Sequence, residues 1–186
     1  TGPFRLQVHL EFKEPDFDKL ICDIKPQLDD VEITSMNEHI DFEKLRRTFY
    51  THFTGKKKRK TGPSSGRWVS LGNMPILLPY ILMGHEDSKF MSHNGVRAGP
   101  LRESLVTNLK NGRFRRGGST ISMQLSRNLF LSPVKTLARK LEEFFITWQM
   151  ERYFTRKYRK YSGKRKMIEI YLNVVEFGPG VYGIGH

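Results

Sequence analysis

Residues 55–186 contain only eight Asp and Glu residues, so each is a candidate for acid–base chemistry. Glu86 lies in the segment HEDSKFMSH, and on a helix Glu86, Phe90 and His93 would share one face. A carboxylate beside an aromatic ring can serve as a general base or acid. The same pattern also suits an ordinary surface acid. His85, Glu86 and His93 lack the H-E-x-x-H spacing of a zinc site, so no metal site is predicted there.

A second segment, Arg115–Leu131, has the features of an anion site. Gly117 and Gly118 lead into Ser119 and Thr120, a natural helix start whose backbone N–H groups and dipole attract anions. The following helix would carry a polar stripe composed of Thr120, Gln124, Arg127 and Asn128. A well-capped amphipathic helix with a solvated polar face explains the same residues, and this alternative stays open.

A third feature is a charged ridge on the next predicted helix. Lys135, Arg139 and Glu143 recur every four residues and therefore line one side, with Lys140 next to them. Such pairs commonly give mild surface stabilisation, by a few tenths of a kcal/mol each. The ridge is therefore either a surface ion-pair array or part of a site.

Composition and charge bound the class of protein. The chain has 186 residues with 32 Lys and Arg, 19 Asp and Glu, and 38% hydrophobic residues, which excludes wholesale disorder. The single cysteine, Cys22, excludes an intrachain disulfide framework. No apolar run approaches the ~20 residues of a membrane span. Because the chain begins with Thr1, we expect it to be part of a longer protein.

The charge is distributed unevenly. Residues 1–54 carry 7 basic and 11 acidic side chains, whereas residues 55–186 carry 25 basic and 8 acidic ones. The sequence between them, GKKKRKTGPSSG, predicts a linker over 55–66 between an N-terminal α+β segment, 1–54, and a main domain, 67–186. The basic run suits either a solvated linker or contact with a membrane or another polyanion.

Hydrophobic periodicity predicts mostly helices after one clear strand. Alternation over Phe4–Phe12 predicts the strand. Helices are predicted over 42–52, 76–93, 119–131, 133–161 and 164–174, with 94–118 rich in loops. The core face of the helix over 133–161 is expected to consist of Leu137, Leu141, Phe144, Phe145 and Trp148.

Five motifs, taken together, resemble the peptidoglycan glycosyltransferase domain of class A penicillin-binding proteins and of monofunctional biosynthetic peptidoglycan transglycosylases. The first, E-D-x-x-F-x-x-H-x-G, is present as Glu86, Asp87, Phe90, His93 and Gly95. The second is similar to G-x-S-T-I-T-Q-Q-x-x-K-N and is present as Gly117, Ser119, Thr120, Ile121, Gln124, Arg127 and Asn128.

The remaining motifs follow in the order of that family. R-K-x-x-E is present as Arg139, Lys140 and Glu143. The fourth, of the I-L-E-x-Y-L-N type, includes Glu169, Tyr171 and Asn173, and the fifth contains Tyr182 and Gly183. The resemblance covers about Trp68–His186 and leaves residues 1–66 outside it. It implies a mainly α, lysozyme-like domain that is incomplete at its C-terminus, since the family continues with further helices.

The resemblance also implies a reaction, the polymerisation of lipid II into glycan strands with inversion at the anomeric carbon. Glu86 would be the base that deprotonates the acceptor 4-hydroxyl, and undecaprenyl diphosphate would leave. Glu143 would be the second catalytic carboxylate, orienting groups near the diphosphate. The residues expected at the donor and diphosphate are Ser119, Thr120, Gln124, Arg127, Asn128, Lys135, Arg139 and Lys140. Those expected to support the motifs are Asp87, Phe90, His93, Gly95, Tyr171, Asn173, Tyr182 and Gly183.

Partners and location follow from the same resemblance. The expected partners are lipid II, the nascent glycan strand, the bacterial inner-membrane surface and other proteins of cell-wall synthesis, with no nucleic acid. The expected location is the periplasmic face of the inner membrane. No cofactor is required, although a divalent cation, Mg²⁺ or Mn²⁺, could assist at the diphosphate.

The chain departs from the family pattern at several positions. Arg97 stands where the first motif usually continues with Asp, which reverses a charge. Ser122, Met123 and Arg127 replace Thr, Gln and Lys in the second motif, and Met123 removes a hydrogen-bonding group. Because of these changes, one alternative stays open: the chain could be a relative that has lost turnover and only binds lipid-linked glycan or a cell-wall partner. Two further alternatives are a lytic enzyme of lysozyme-like fold and a basic nucleic-acid-binding module.

Overall fold

The computed structural model describes residues 5–13, 16–27, 40–52, 58–111, 117–131 and 137–185. The chain forms two compact units. Unit 1 contains residues 1–37 and 97–119, and unit 2 contains residues 38–96 and 120–186. This division differs from the predicted boundary at residues 55–66, because an insertion from the middle of the chain joins the N-terminal segment in unit 1.

The described residues of unit 1 form two strands and one helix. Strands β1, Arg5–Lys13, and β2, Asp16–Gln27, pair antiparallel with Leu10 opposite Cys22, which confirms the predicted strand and supplies its partner. Helix α1, Leu77–Glu86, belongs to unit 2, and the next helix, α2, covers Ala98–Asn111 and lies against β2. The prediction of a loop-rich stretch over 94–118 was therefore wrong for residues 98–111. Gly99 and Pro100 stand in the first turn of this helix, where proline is tolerated.

Unit 2 opens with a small hairpin instead of the helix predicted over 42–52. A short 3₁₀ turn, Glu43–Arg46, precedes strand β3, Phe49–His52, which pairs with strand β4, Lys58–Thr61. The linker prediction therefore fails at residues 58–61. Phe49 and Thr61, which face each other across the hairpin, are both buried. Aromatic and β-branched residues favour such a pairing, but the partner strand falls in a run of Lys and Arg, whose composition does not indicate a strand.

Four helices form the body of unit 2. They are α1, Leu77–Glu86; α3, Ile121–Phe130; α4, Leu137–Tyr158; and α5, Lys160–Val174. A two-stranded ribbon, β5 Glu176–Gly178 and β6 Val181–Tyr182, follows α5. The described core includes Phe90, Leu125, Met150, Phe154 and Leu172, all fully buried. The mainly α prediction is confirmed, although α1 ends at Glu86 and not near His93.

The buried face of α4 differs from the predicted one. Leu141 is 44% exposed, and Phe144, Phe145 and Trp148 are only partly buried. The side chain of Leu137 lies outside the described residues. The buried side chains of α4 are Glu143, Ile146, Thr147, Gln149, Met150, Glu151 and Phe154. The polar residues Glu143, Thr147 and Glu151 recur every four positions on this buried face. A search for apolar periodicity does not detect them.

Candidate active site

Glu86 is the last residue of α1 and points toward α3. Leu78, Leu82 and Met83 pack α1 against the core, and the N–H of Asp87 closes the helix by donating to the carbonyl of Met83 at 2.9 Å. The Glu86 side chain keeps 33% of its surface exposed. A carboxylate fixed at a helix end and open to solvent can accept a proton from a bound substrate.

The Glu86 carboxylate is held by a hydrogen-bonded chain that spans three helices. Gln124 of α3 donates from Nε2 to Glu86 Oε2 at 2.8 Å, and the hydroxyl of Tyr171 in α5 donates to Gln124 Oε1 at 2.9 Å. Burial raises the pKa of the Tyr171 phenol, and the negative charge of Glu86 raises it further. Tyr171 is therefore protonated at neutral pH and can donate to Gln124. The direction of the Gln124 amide is set by Glu86, because an ionised carboxylate can only accept and so faces the NH₂ group.

A second set of bonds anchors the loop that follows Glu86. Asp87, with 1% of its side chain exposed, accepts from His93 Nε2 at 2.8 Å and from the N–H of Ile121 at 3.3 Å. The N–H of Gly95 donates to His93 Nδ1 at 3.0 Å. Since Nδ1 accepts, the proton of the neutral imidazole resides on Nε2, where it is given to Asp87. The first motif thus folds back on the start of α3.

Thr120 joins the same loop to α3. Its Oγ1 caps the helix by accepting from the N–H of Met123 at 3.2 Å, and its hydroxyl donates to the carbonyl of Gly95. Only 3% of Thr120 is exposed. The structure therefore gives this residue the capping role that the sequence left open, and its contact with substrate stays a prediction.

Gly95 is required at the end of the loop by both conformation and space. Its φ is +96°, and an added Cβ would stand 2.8 Å from Glu151 Cγ and 2.9 Å from Thr147 Cγ2. A larger residue would therefore push the loop away from α4.

The second predicted carboxylate, Glu143, lies in a buried cluster of charges on α4. Its side chain is 0% exposed; one oxygen is 2.8 Å from Lys140 Nζ and the other is 3.3 Å from Arg139 Nη1. Thr147 donates to the backbone carbonyl of Glu143 at 2.6 Å and lies 3.0 Å from Ser126 Oγ on α3. Burial lowers the pKa of Lys140, and Glu143 opposes this shift.

Arg127 of α3 connects the two carboxylate sites electrostatically. Its positive charge opposes the rise of the Tyr171 pKa and helps to lower the pKa of Lys140. Arg139 and Lys140 pair with the buried Glu143 carboxylate, and Arg127 adds a third positive charge that Lys140 senses. The local excess of positive charge can attract a diphosphate.

For the other predicted binding residues the structure gives fewer contacts. Asn128 is half-buried on α3, and Ser119 belongs to unit 1, as does Arg97. Lys135 lies outside the described residues. Met123, where the family has Gln, is 1% exposed in the core. This substitution therefore falls on a packing position and not on the exposed side of the site.

The residues of the last two motifs hold the end of α5. Asn173 accepts from the N–H of Val69 at 2.9 Å and donates to the Val69 carbonyl at 2.8 Å. Gly183, with φ +76°, lies so close to Asn173 that a Cβ would meet its backbone oxygen. The carbonyl of Tyr182 accepts from Arg59 of β4.

Sequence reasoning missed a buried network behind the first motif. Glu151 Oε1 is 2.5 Å from Lys164 Nζ and also accepts from the hydroxyl of Ser122. Lys164 Nζ stands 4.4 Å from the centre of the Phe90 ring, and burial lowers the pKa of this lysine while Glu151 opposes the shift. The available signal was the spacing of Glu151, eight residues after Glu143 and so on the same helical face.

The described residues do not fit a protein-bound divalent cation. Among them no group of three or more His, Cys, Asp or Glu is arranged to hold a metal ion. Each oxygen of Glu143 faces a cation, Arg139 or Lys140, whose positive charge disfavours a metal ion at the same carboxylate. No step is assigned to a metal.

Comparison with known proteins agrees with this arrangement. A family profile described as Transglycosylase matches residues 54–186. The chain belongs to the transglycosylase family. The match includes both carboxylate sites, and it begins within the segment first interpreted as a linker.

Three curated relatives carry the name "Biosynthetic peptidoglycan transglycosylase". That of Methylobacillus flagellatus is 43% identical over 117 residues, 63% of this chain and 48% of the relative. The protein of Dechloromonas aromatica is 40% identical over 117 residues, which are 63% of this chain and 47% of the relative. The protein of Nitrosospira multiformis is 40% identical over 130 residues, which are 70% of this chain and 53% of the relative. The chain thus spans about half the length of these relatives.

A helix that crosses a bilayer needs about 20 predominantly apolar residues. In the part of the chain that the structure describes, no helix combines the length and apolar character needed to cross a membrane.

Proposed function

We propose that this transglycosylase domain polymerises lipid II into glycan strands in bacterial cell-wall synthesis. The observation that carries the proposal is the placement of Glu86, exposed at a helix end and oriented by Gln124 at 2.8 Å. A base must be accessible to the substrate and yet held in one orientation, and this carboxylate meets both requirements. The names of the relatives support the substrate class.

In the proposed reaction Glu86 takes the proton of the acceptor sugar's 4-hydroxyl. The freed electron pair of that oxygen forms a bond to C1 of the donor sugar. The bond from C1 to the diphosphate oxygen breaks at the same time, and its electrons leave with undecaprenyl diphosphate. Attack from the face opposite the leaving group inverts C1. Gln124 keeps Oε2 of Glu86 bonded. The other oxygen, Oε1, lies 3.3 Å from His85 Nδ1, and it is the oxygen that takes the hydroxyl proton in the proposed reaction.

Positive charge at the leaving group is supplied by Arg127, Arg139 and Lys140. The buried Glu143 carboxylate fixes Arg139 and Lys140 at 3.3 and 2.8 Å. Cations held in place before the reaction stabilise the charge that develops on a diphosphate without reorganisation. We therefore assign Glu143 as a positioning residue for these cations.

The place of action proposed for the whole protein is the periplasmic face of the bacterial inner membrane. The net charge of +13 suits an anionic lipid surface. Lipid II, the growing glycan strand and other proteins of cell-wall synthesis are the proposed partners.

The experiment uses the full-length parent protein with labelled lipid II in detergent. Glycan polymer and an equal amount of released undecaprenyl diphosphate are expected. Binding of lipid II with neither product would support the binding-only relative and contradict the proposal. Products formed from finished glycan but not from lipid II would indicate a lytic enzyme, and salt-dependent DNA binding without lipid II binding would indicate a nucleic-acid module.

A further inference from the structure

A buried ion pair lies against the loop of residues 87–95, which follows Glu86. Lys164 of α5 is 2% exposed, and its Nζ lies 2.5 Å from Oε1 of Glu151 on α4. The same Nζ stands 4.4 Å from the centre of the ring of Phe90, a loop residue that is fully buried. An ammonium group over an aromatic ring at this distance makes a cation–π contact. The middle of the loop therefore rests on the Lys164 side of the pair.

The other partner of the pair supports the end of the same loop. Glu151 is 6% exposed and also accepts from the hydroxyl of Ser122 on α3. A Cβ at Gly95 would stand 2.8 Å from Glu151 Cγ, so the loop backbone packs directly on this side chain. One ion pair thus contacts the loop at two separate points, Phe90 and Gly95.

Close packing of α4 and α5 brings the two charges together. A Cβ at Gly163, next to Lys164, would stand 2.7 Å from the backbone oxygen of Phe154 on α4. Glycine within a helix costs about 1 kcal/mol relative to alanine. At this position it allows the close approach of the helices, and Lys164 can reach Glu151 as a result.

Stability alone does not account for an ion pair at this depth. Replacing a buried ion pair by uncharged side chains of similar volume is often neutral or stabilising, because desolvation of the two charges offsets their attraction. Burial lowers the pKa of Lys164, whereas Glu151 and Asp87 oppose this shift. The ammonium is therefore attracted by a carboxylate of the loop as well as by its partner on α4.

The loop connects this pair to the proposed base. The rings of Phe90 and His93 meet edge to face at 6.2 Å, and His93 Nδ1 accepts from the N–H of Gly95 at 3.0 Å. His93 in turn donates to Asp87 at 2.8 Å, and Asp87 directly follows Glu86 in the chain. Displacement of a reacting group by about 1 Å can lower a rate about a hundredfold. Both contact points of the ion pair are thus linked to Glu86 through two side chains.

We propose that Lys164 and Glu151 are positioning residues for Glu86: as a buried ion pair they fix the loop of residues 87–95, and the loop keeps the Glu86 carboxylate in place for the acceptor hydroxyl. They act through the loop and not on substrate. The inference rests on the proposed function for its kinetic readout, but the effect on the loop is measured without lipid II.

The first experiment measures the order of the loop in the full-length protein. The variant Glu151→Gln/Lys164→Met removes both charges together, so it avoids the uncompensated buried charge of either single substitution. Amide hydrogen exchange read by mass spectrometry should become about tenfold faster over residues 87–95 and stay unchanged in α3. The matched control is Glu43→Gln/Lys157→Met, which removes an ion pair that is 51 and 41% exposed. This control should leave exchange in the loop unchanged.

The second experiment measures steady-state kinetics of the full-length protein with lipid II in detergent. Glu151→Gln/Lys164→Met should lower kcat about tenfold. It should leave KM for lipid II unchanged, because the cations assigned to the diphosphate lie outside the loop. Leu45→Ala controls for stability, since Leu45 is a core residue of the 3₁₀ turn at 2% exposure. This variant should keep its kcat at temperatures at which it is folded, as judged by circular dichroism.

Three outcomes would overturn the positioning role. Unchanged exchange over residues 87–95 in the variant Glu151→Gln/Lys164→Met would show that the loop does not depend on the pair. Faster exchange with an unchanged kcat would show that the loop does not set the position of Glu86. An equal loss of kcat in Leu45→Ala, at a matched free energy of unfolding, would assign the effect to stability alone.

Failure of the proposed function has a different signature. It would appear as absence of polymer from the unmodified full-length protein, and it would remove the catalytic part of this inference as well. The exchange measurement would still decide whether the ion pair holds the loop.

Discussion

Gln124 Nε2 lies 2.8 Å from Oε2 of Glu86. The Tyr171 hydroxyl bonds to the other end of the same amide at 2.9 Å. Rotating the amide by half a turn would place its oxygen against the Glu86 carboxylate, so the bond to Glu86 would be lost. The catalytic carboxylate proposed here is therefore oriented from α5 through α3.

Tyr171→Phe should lower kcat while leaving KM for lipid II unchanged, since the residue acts through Gln124 and not on substrate. Loss of one hydrogen bond of about 1 kcal/mol corresponds to roughly a fivefold lower kcat. Steady-state kinetics on the full-length protein measures this, with Tyr161→Phe as the surface control. A change confined to KM would contradict the positioning role.

The same substitution should alter stability at alkaline pH. The pKa of Tyr171 is raised above its ordinary 10.0 by burial and by Glu86, so the unfolded chain loses this proton first. The resulting stability is present below pH 10.0 and is lost as pH rises toward the folded pKa. Between about pH 8 and about pH 11, the free energy of unfolding of Tyr171→Phe should therefore fall less steeply in urea titrations. If the free energy of unfolding fell equally steeply with pH in both proteins, the raised pKa of Tyr171 would be contradicted.

Glu143→Gln should impair donor binding, because Arg139 and Lys140 lose the charge that holds them. We expect kcat/KM for lipid II to fall by about a hundredfold, in keeping with loss of a buried charge partner. Glu142→Gln, on the exposed neighbouring position, is the matched control and should keep its activity. Equal kinetics for the two variants would remove Glu143 from the site.

Lys164→Met should destabilise the fold strongly, because it leaves the Glu151 carboxylate buried without its cation. Breaking a buried pair costs about 3–5 kcal/mol. Lys157→Met removes a comparable contact to Glu43, but that pair is 41 and 51% exposed and should cost less than about 1 kcal/mol. Denaturant unfolding compares them, and similar losses for both variants would disprove the distinction.

The sequence predicted elements where local pattern determines structure and failed where distant residues decide it. Thr120 and the apolar spacing after it predicted α3 closely. Strand β3 was taken for helix because both strands of its hairpin have only four residues, too few to show alternation, and β4 has the composition of a basic linker. On α4 the core face was misassigned because Glu143, Thr147 and Glu151 are buried polar residues. Their burial depends on contacts from α3, α5 and their own helix.

The candidate site shows the same contrast. The motifs named Glu86, Gln124 and Glu143, but spacing alone did not reveal that Gln124 bonds to Glu86. Thr120 was taken for a substrate contact because an N-terminal hydroxyl suits both capping and anion binding. Only the bonds to Gly95 and to the N–H of Met123 show the capping role.

The most direct test is polymerisation of labelled lipid II by the full-length protein and by its Glu86→Gln variant, with Glu142→Gln as the matched control. The amide keeps the shape of the side chain and a bond to Gln124 but cannot take the acceptor proton. We predict polymer from the unmodified protein and from Glu142→Gln, and none from Glu86→Gln at unchanged lipid II binding. Polymer from Glu86→Gln at the rate of the unmodified protein would contradict the assignment of Glu86 as the base.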